Sequence, residues 1–321
     1  MPDYAVCGGC LRASIDLPEL QRVTGTSPSW VFRLSADVPP ERPDQVLLGE
    51  EHIYGSVHAR LYGFEGGYRV TVDDTGSFDL SPDGTEITGY PLPEAWPDFV
   101  RAHLIGRVLA VALHLGGILT LHGSAVALGD DAVAFLAPKH HGKTTLALAI
   151  TRAGGALLTD DMLPVVPGDL ARALPGVHSM RLHSDTAGMM AGSAPLPQTR
   201  EGKHRLDDLP ADWIRNRDAS LAAIYLLTPV ASIDGGAMVR RDHLAGVSSA
   251  VSLMAHTKIG RMLGSWGAPT LLERAATTSR HTSVYRLAVV RDLAGLPEVV
   301  ERIGEWHGHR LQWDSRRAEA V

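Results

Sequence analysis

The chain has 321 residues, enough for one large domain or two ordinary ones, and its 45% hydrophobic share lets it bury a substantial core. A formal charge of −6 gives no electrostatic reason to bind nucleic acid or an anionic membrane. The longest apolar run, Val108 to Leu121, is too short to span a bilayer and is broken by His114, Gly116 and Gly117. The opening residues carry Asp3 and no basic flank, so no signal peptide is evident. The expected setting is cytoplasmic, with neither nucleic acid nor membrane as partner.

Cys7 and Cys10 form a CxxC. No second pair or nearby histidine completes a tetrahedral zinc site, so they read as two ordinary thiols on an N-terminal strand. Residues 1–95 are rich in Pro, Gly and Asp, and "WVFRLSA", "GYRVTVD" and "GSFDLSPDGTEITGY" read as strands joined by turns. Pro82, Asp83 and Gly84 supply turn chemistry. A small β-rich N-terminal domain is expected over 1–95, with "PLPEAWPDF" as the boundary and a second domain over 96–321.

Apolar residues recur at helical spacing from Phe99 to His114, and Gly116 and Gly117 end that helix. "LTLHGSAVAL" and "AVAFLA" are two strands separated by a short "GDD" turn. A helix follows from Thr144 to Arg152, then "ALLTDDMLPVV" is a strand interrupted by an acidic pair. Leu221–Leu227 reads as a buried strand, "SVYRLAVV" as another, and "LPEVVERIGEW" as an amphipathic helix. Strands alternating with helices predict an α/β fold with a mostly parallel or mixed sheet.

The chemistry concentrates in "FLAPKHHGKTTLALAI", Phe135 to Ile150. The phosphate-loop pattern GxxxxGK[ST] falls on Ala137–Thr144, between a strand and a helix as the motif requires. Ala137, Pro138, Lys139, His140, His141, Gly142, Lys143, Thr144 and Thr145 are the candidate nucleotide-binding residues. Successive backbone N–H groups would curl round phosphate oxygens, and the helix N-terminus adds partial positive charge. Lys143 would reach the β- and γ-phosphates, and Thr144 would offer its hydroxyl to Mg2+. Ala137 stands where the pattern has its first glycine, and His140 and His141 carry a Cβ where the loop often needs positive φ. An altered grip on ATP is therefore expected.

His122 precedes a glycine at the foot of the strand before the loop strand, and Asp160 and Asp161 follow the next strand. Ligand crevices in open α/β sheets lie at such strand ends. Adjacent carboxylates suit phosphoryl transfer, since one can take a hydroxyl proton and the other can hold Mg2+. "TREGKHRL" gathers Arg200, Lys203, His204 and Arg205 into one polar loop, a cationic lid or simply a solvated loop. No HxxxH or HExxH spacing makes metal sites of the other histidines, and His307 to His309 read as surface residues.

The stretch "LHGSAVALGDDAVAFLAPKHHGKTTLALAITRAGGALLTDD" resembles the phosphate-loop core of the HPr serine kinase/phosphorylase family. The spacing from His122 to Lys143 and from Lys143 to Asp161 fits that family. "LRASIDLPEL", "GSFDLSPDGTEI", "LPGVHSMRLHSD" and "VYRLAVVRDLAGLPEVVERI" resemble its looser branch, found with ribosomally made peptides, including kinases of lasso-peptide precursors. The resemblance implies an HPr-kinase-like core and an ATP- and Mg2+-dependent kinase acting on a hydroxyl, a Ser of a peptide or small protein. It gives the catalytic roles to Asp161 as proton acceptor, His122 as its assistant and Lys143 on the phosphates, and the metal shell to Thr144 and Asp160. The family's downstream Mg2+-holding Glu has no clear counterpart; Asp185 is the nearest acid. The family often forms rings, which leaves a homo-oligomer open. Two other readings stand beside the kinase: a phosphotransferase or phosphorylase with a small-molecule acceptor, and a non-catalytic nucleotide-binding partner protein.

Overall fold

The computed structural model describes residues 1–184, 186, 204–207 and 209–313. The chain forms two compact units, Met1–Thr120 with Thr257–Ala275, and Leu121–His256 with Ala276–Val321. The first extends past the boundary expected at residues 95 and 96, because the helical run that follows packs in this unit. Ala112 and Leu115 lie against the turn at Gly84, where an added Cβ would meet the Ala112 Cα at 2.9 Å.

The first unit is built on one mixed sheet. Its strands are β1 (Asp3–Val6), β2 (Gly9–Ala13), β3 (Gln21–Val23), β4 (Trp30–Leu34), β5 (Val46–Tyr54), β6 (Val57–Phe64), β7 (Gly67–Val72), β8 (Gly76–Leu80) and β9 (Glu86–Pro91). They lie in the order β3-β1-β2-β4-β9-β8-β7-β6-β5, with β5 at one edge. Alternation along these strands buries Tyr4, Leu11, Phe32, Leu61, Phe78 and Ile87. The Pro82–Asp83–Gly84 turn forms as expected, with Gly84 at φ 74° and its N–H donating to the Ser81 carbonyl. Cys7 sits in the turn between β1 and β2 and Cys10 on β2; both are buried free thiols. Burial pushes the Cys7 thiol up to about 12, so it stays protonated and unreactive.

The helical run expected from Phe99 to His114 is present as α1 (Pro97–His103), one π turn (Leu104–Val108) and α2 (Leu109–Leu115). His114 closes it, buried, with Arg274 donating to its Nδ1 at 3.1 Å and to its carbonyl at 2.8 Å. Burial first, and the Arg274 charge second, lower its pKa to about 4. The unfolded chain therefore binds more protons than the folded one between about pH 6.5 and 4, and stability falls as pH falls through that window. His114→Gln is expected to flatten the acid limb of a denaturant-midpoint profile by on the order of 2 kcal/mol. An unchanged pH slope in that variant would refute the assignment.

The second unit holds the sequence motifs. The division falls within β10 (Leu119–Leu121), and the elements after it are β11 (Gly123–Leu128), β12 (Asp131–Leu136), α3 (Lys143–Arg152), β13 (Ala156–Thr159), β14 (Leu163–Val166) and β15 (Arg172–Ala173). These are followed by β16 (Met180–Leu182), β17 (His204–Leu206), β18 (Ala219–Val230), β19 (Val239–Leu244), β20 (Ser283–Val290) and a helix at Leu296–Trp306. The sheet is mixed. β12, β18 and β20 run parallel to their neighbours in that trio, while β11 is antiparallel to both β12 and β13.

That register positions the site. Gly123 pairs with Leu136 and Ala125 pairs with Thr159. The start of β11, the end of β12 and the end of β13 therefore emerge together. His122, the loop after Leu136 and the acidic pair after Thr159 share one end of the sheet because three strand termini do. Beneath them Val133, Phe135, Leu146, Ile150, Leu157, Met180, Leu182, Leu206 and Tyr225 form one apolar cluster. It fixes α3 against the sheet and seats the β16–β17 hairpin on the same core. His307 departs from its expected surface role: the Tyr225 hydroxyl lies 2.8 Å from its Nε2, and burial lowers its pKa to about 4. Among the described residues, no helix is long and apolar enough to cross a membrane.

Candidate functional site

The loop from Ala137 to Gly142 joins β12 to α3, as the motif requires. Its backbone needs left-handed φ at two positions, His140 (φ 68°) and Gly142 (φ 90°). Ala137 has no such demand and is buried, so the replacement of the first glycine strains nothing there. His141 is likewise free of positive φ, and its Nδ1 lies 2.8 Å from the Lys139 carbonyl. The strain expected at both histidines falls on His140 alone. Histidine is among the non-glycine residues that adopt this region more readily. No atom lies within 4 Å of where a Gly142 Cβ would sit, so the loop's outer face stays open at that point.

Lys143 opens α3 and is 8% exposed, its chain covered by the loop it follows. Its Nζ donates to the Ala137 and Pro138 carbonyls, at 2.8 and 3.1 Å. Loop carbonyls thus hold the ammonium beside the backbone N–H groups at the start of the helix. The Thr144 hydroxyl lies 3.1 Å from each Asp160 carboxylate oxygen. Asp160 is 4% exposed and also accepts a hydrogen bond from Ser124. Burial raises its pKa first; the Ser124 bond lowers it, the Asp161 charge raises it, and Thr144 and Lys143 lower it.

Asp161 differs sharply from its neighbour. Its side chain is 56% exposed and its backbone is left-handed at φ 67°. His122 Nδ1 lies 3.1 Å from the Asp161 carbonyl and 3.3 Å from a carboxylate oxygen. One carboxylate is buried beside a hydroxyl, and the other is open to solvent beside an imidazole. The two are suited to different tasks for that reason.

The structure therefore gathers His122, Lys143, Thr144, Asp160 and Asp161 at one end of the sheet. It adds three residues that the sequence reading passed over. Ser124 follows His122 at i+2, on the same face of the strand, which was a legible signal. His183, just past β16, lies 2.9 Å from His140, nitrogen to nitrogen, with ring centroids 4.9 Å apart. The Thr186 hydroxyl lies 3.2 Å from that of Thr145. These two contacts tie the segment after β16 to both shoulders of the loop, and no sequence spacing announces them. Of the expected cationic loop, His204 and Arg205 fall on β17; Arg200, Lys203 and the acid Asp185 lie outside the described residues.

The donor set fits a nucleotide with its cation. Mg2+ is usually held by one or two carboxylates together with substrate phosphates, and Asp160 with Thr144 offers one carboxylate and one hydroxyl side by side. Among the described residues no group of three or more His, Cys, Asp or Glu could hold a metal alone. A cation here would depend on the phosphates for its remaining oxygens.

No family model matches the sequence. No curated protein matches it either. Solved structures do match, among them the Hpr(Ser) kinase/phosphatase from Coxiella burnetii, at 12% identity and a TM-score of 0.31 over 59% of this chain and 97% of that one. The second unit is itself mixed α/β, with the loop Ala137–Gly142 joining a strand to a helix.

Proposed function

We propose that the chain is an ATP- and Mg2+-dependent phosphotransferase that acts on a hydroxyl, with a Ser of a peptide or small protein as acceptor. The observation that carries this reading is the Thr144–Asp160 pair, set directly behind Lys143, with Asp161 and His122 beside it. The sequence resemblance to HPr kinases points the same way. When bound, ATP supplies the phosphoryl group and Mg2+ neutralises charge on its oxygens.

The residues divide the work. Lys143 and the loop N–H groups bind the phosphates, and the N-terminus of α3 favours their charge. Thr144 and Asp160 hold the cation. Asp161 takes the proton of the acceptor hydroxyl. His122 positions that carboxylate through its Nδ1 and supports the negative charge it carries. Ser124 holds Asp160 in place.

Isothermal titration of the whole protein with ATP and Mg2+, with Lys143→Ala alongside, tests the reading. Saturable binding by the native chain is expected, weakened in the variant by about 100-fold or more, as removal of a charge-assisted contact implies. A folded native chain that binds neither ATP, GTP nor pyrophosphate would refute it.

His183→Ala is expected to weaken nucleotide binding roughly tenfold, because His140 then loses a ring partner that steadies it at positive φ, a conformation costing about 1–3 kcal/mol. His140→Gly removes the need for that partner, so His183→Ala should cost little in its background. Equal losses in both backgrounds, read in a double-mutant cycle, would show that His183 does not act through His140.

A further inference from the structure

The first unit contains a groove that the phosphate chemistry does not use. It encloses about 490 Å3, within the range of ligand sites. Val46 and Leu48 of edge strand β5, Phe64 at the end of β6, Tyr68 of β7 and Trp266 line it, with Asp44 and Glu65 at its rim. The Tyr68 and Trp266 rings meet at 49° with centroids 5.3 Å apart, forming a corner. Trp266 is 40% exposed and is held from behind by an edge contact with His114 at 5.8 Å.

No ion pair joins Asp44 or Glu65 to any described residue; the Asp44 carboxylate only accepts the Glu65 backbone N–H, at 2.6 Å. Both side chains are exposed. Aromatic faces beside unneutralised carboxylates favour one kind of guest, an organic cation that is stacked and charge-paired at once. The unit shows the same stacking internally: the Arg42 guanidinium lies 4.3 Å from the centre of the Phe64 ring. Val46, 64% exposed on β5, gives an apolar border suited to the chain that carries the cation. Gly66 adds no side chain at the rim, and nothing lies within 4 Å of its missing Cβ.

We propose that this groove binds an arginine side chain of a partner peptide, the guanidinium stacked in the Tyr68–Trp266 corner and paired with Asp44 and Glu65. It is a recognition site separate from the phosphate loop, and it does not depend on the kinase reading.

The test uses two fluorescein-labelled hexapeptides that differ only at a central residue, arginine in one and citrulline in the other. Citrulline keeps the shape and loses the charge. Fluorescence anisotropy with the full chain is expected to show at least fivefold tighter binding of the arginine peptide. The preference should vanish in the double variant Asp44→Asn, Glu65→Gln, in which the amide replacing Asp44 still accepts the Glu65 N–H. Trp266→Ala should weaken binding of the arginine peptide by a similar factor. Glu301→Gln, an exposed acid on the helix Leu296–Trp306 of the other unit, should change nothing. Equal binding of the two peptides, no saturable binding of the arginine peptide, or a preference that survives in the double variant would each overturn the proposal. Circular dichroism separates loss of the groove from loss of the fold.

Discussion

Asp161→Asn is expected to lower phosphoryl transfer by roughly 10²–10⁴-fold while leaving the affinity for Mg2+ and ATP within about twofold. The substitution is clean for a structural reason. Asp161 holds a left-handed backbone, φ 67°, and asparagine tolerates that region as well as aspartate does. The amide keeps the shape and still accepts a hydrogen bond from His122. What it loses is the capacity to take a proton. Since the side chain is 56% exposed, its removal neither opens a cavity nor orphans a buried group. Single-turnover transfer from γ-labelled ATP, beside titration of the same variant, separates the two quantities. Retention of more than about a tenth of native transfer would remove Asp161 from the role of base, given the usual size of such effects. His122→Ala should reduce transfer less than Asp161→Asn does, as expected of a residue that acts through Asp161.

The site was legible where chemistry and chain order coincide. The Gly142–Lys143–Thr144 signature needs a strand before it and a helix after it, and the apolar runs on either side supplied both. The same holds for His122 and the acidic pair, which flank strands whose antiparallel register with β11 and β12 brings their ends together. Contacts with residues distant in sequence were not legible. His183 reaches His140 because β16 seats Met180 and Leu182 in the core beneath α3, a matter of three-dimensional packing. The prediction of strain at both loop histidines was half right, since spacing alone does not say which residue turns left-handed.

The fold shows the same division. The strands with clean alternation, such as Gly67–Val72 and Gly76–Leu80, were found. β5 and β6 were not: Glu50, Glu51 and His52 in a row on β5 hide its period, and it is an edge strand with one side unpaired. The return of residues 257–275 to the first unit was also unreadable. It depends on Gly49, where an added Cβ would lie 2.5 Å from the Met262 carbonyl oxygen, and on the left-handed Gly264. Two glycines far apart in the chain permit that approach, and neither has a local signature.

Asp160→Asn is expected to move stability and cation dependence in opposite directions. Asp160 is buried, with Ser124 and Thr144 as hydroxyl partners, and burial raises its pKa. The folded chain therefore holds this proton more tightly than the unfolded one, and stability falls as pH rises from the ordinary value of 3.8 through the raised one. Once deprotonated, the cation-free protein bears the cost of a buried charge. An amide of the same shape removes that cost and keeps both hydroxyl partners, so the melting temperature of the cation-free variant should rise by about 2–4 °C, the shift that 1 kcal/mol gives in a domain of this size. The same amide is a poor ligand for Mg2+, so the cation-dependent part of ATP affinity should fall by about 10–100-fold, with cation-free affinity unchanged or higher. Scanning calorimetry and titration with and without Mg2+ read the two effects on one preparation. A lower melting temperature would mean that the carboxylate is a structural anchor for Ser124 and Thr144. Undiminished Mg2+ dependence would place the cation on other oxygens. Only a rise in stability together with a loss of cation dependence fits a buried carboxylate whose task is to hold a cation.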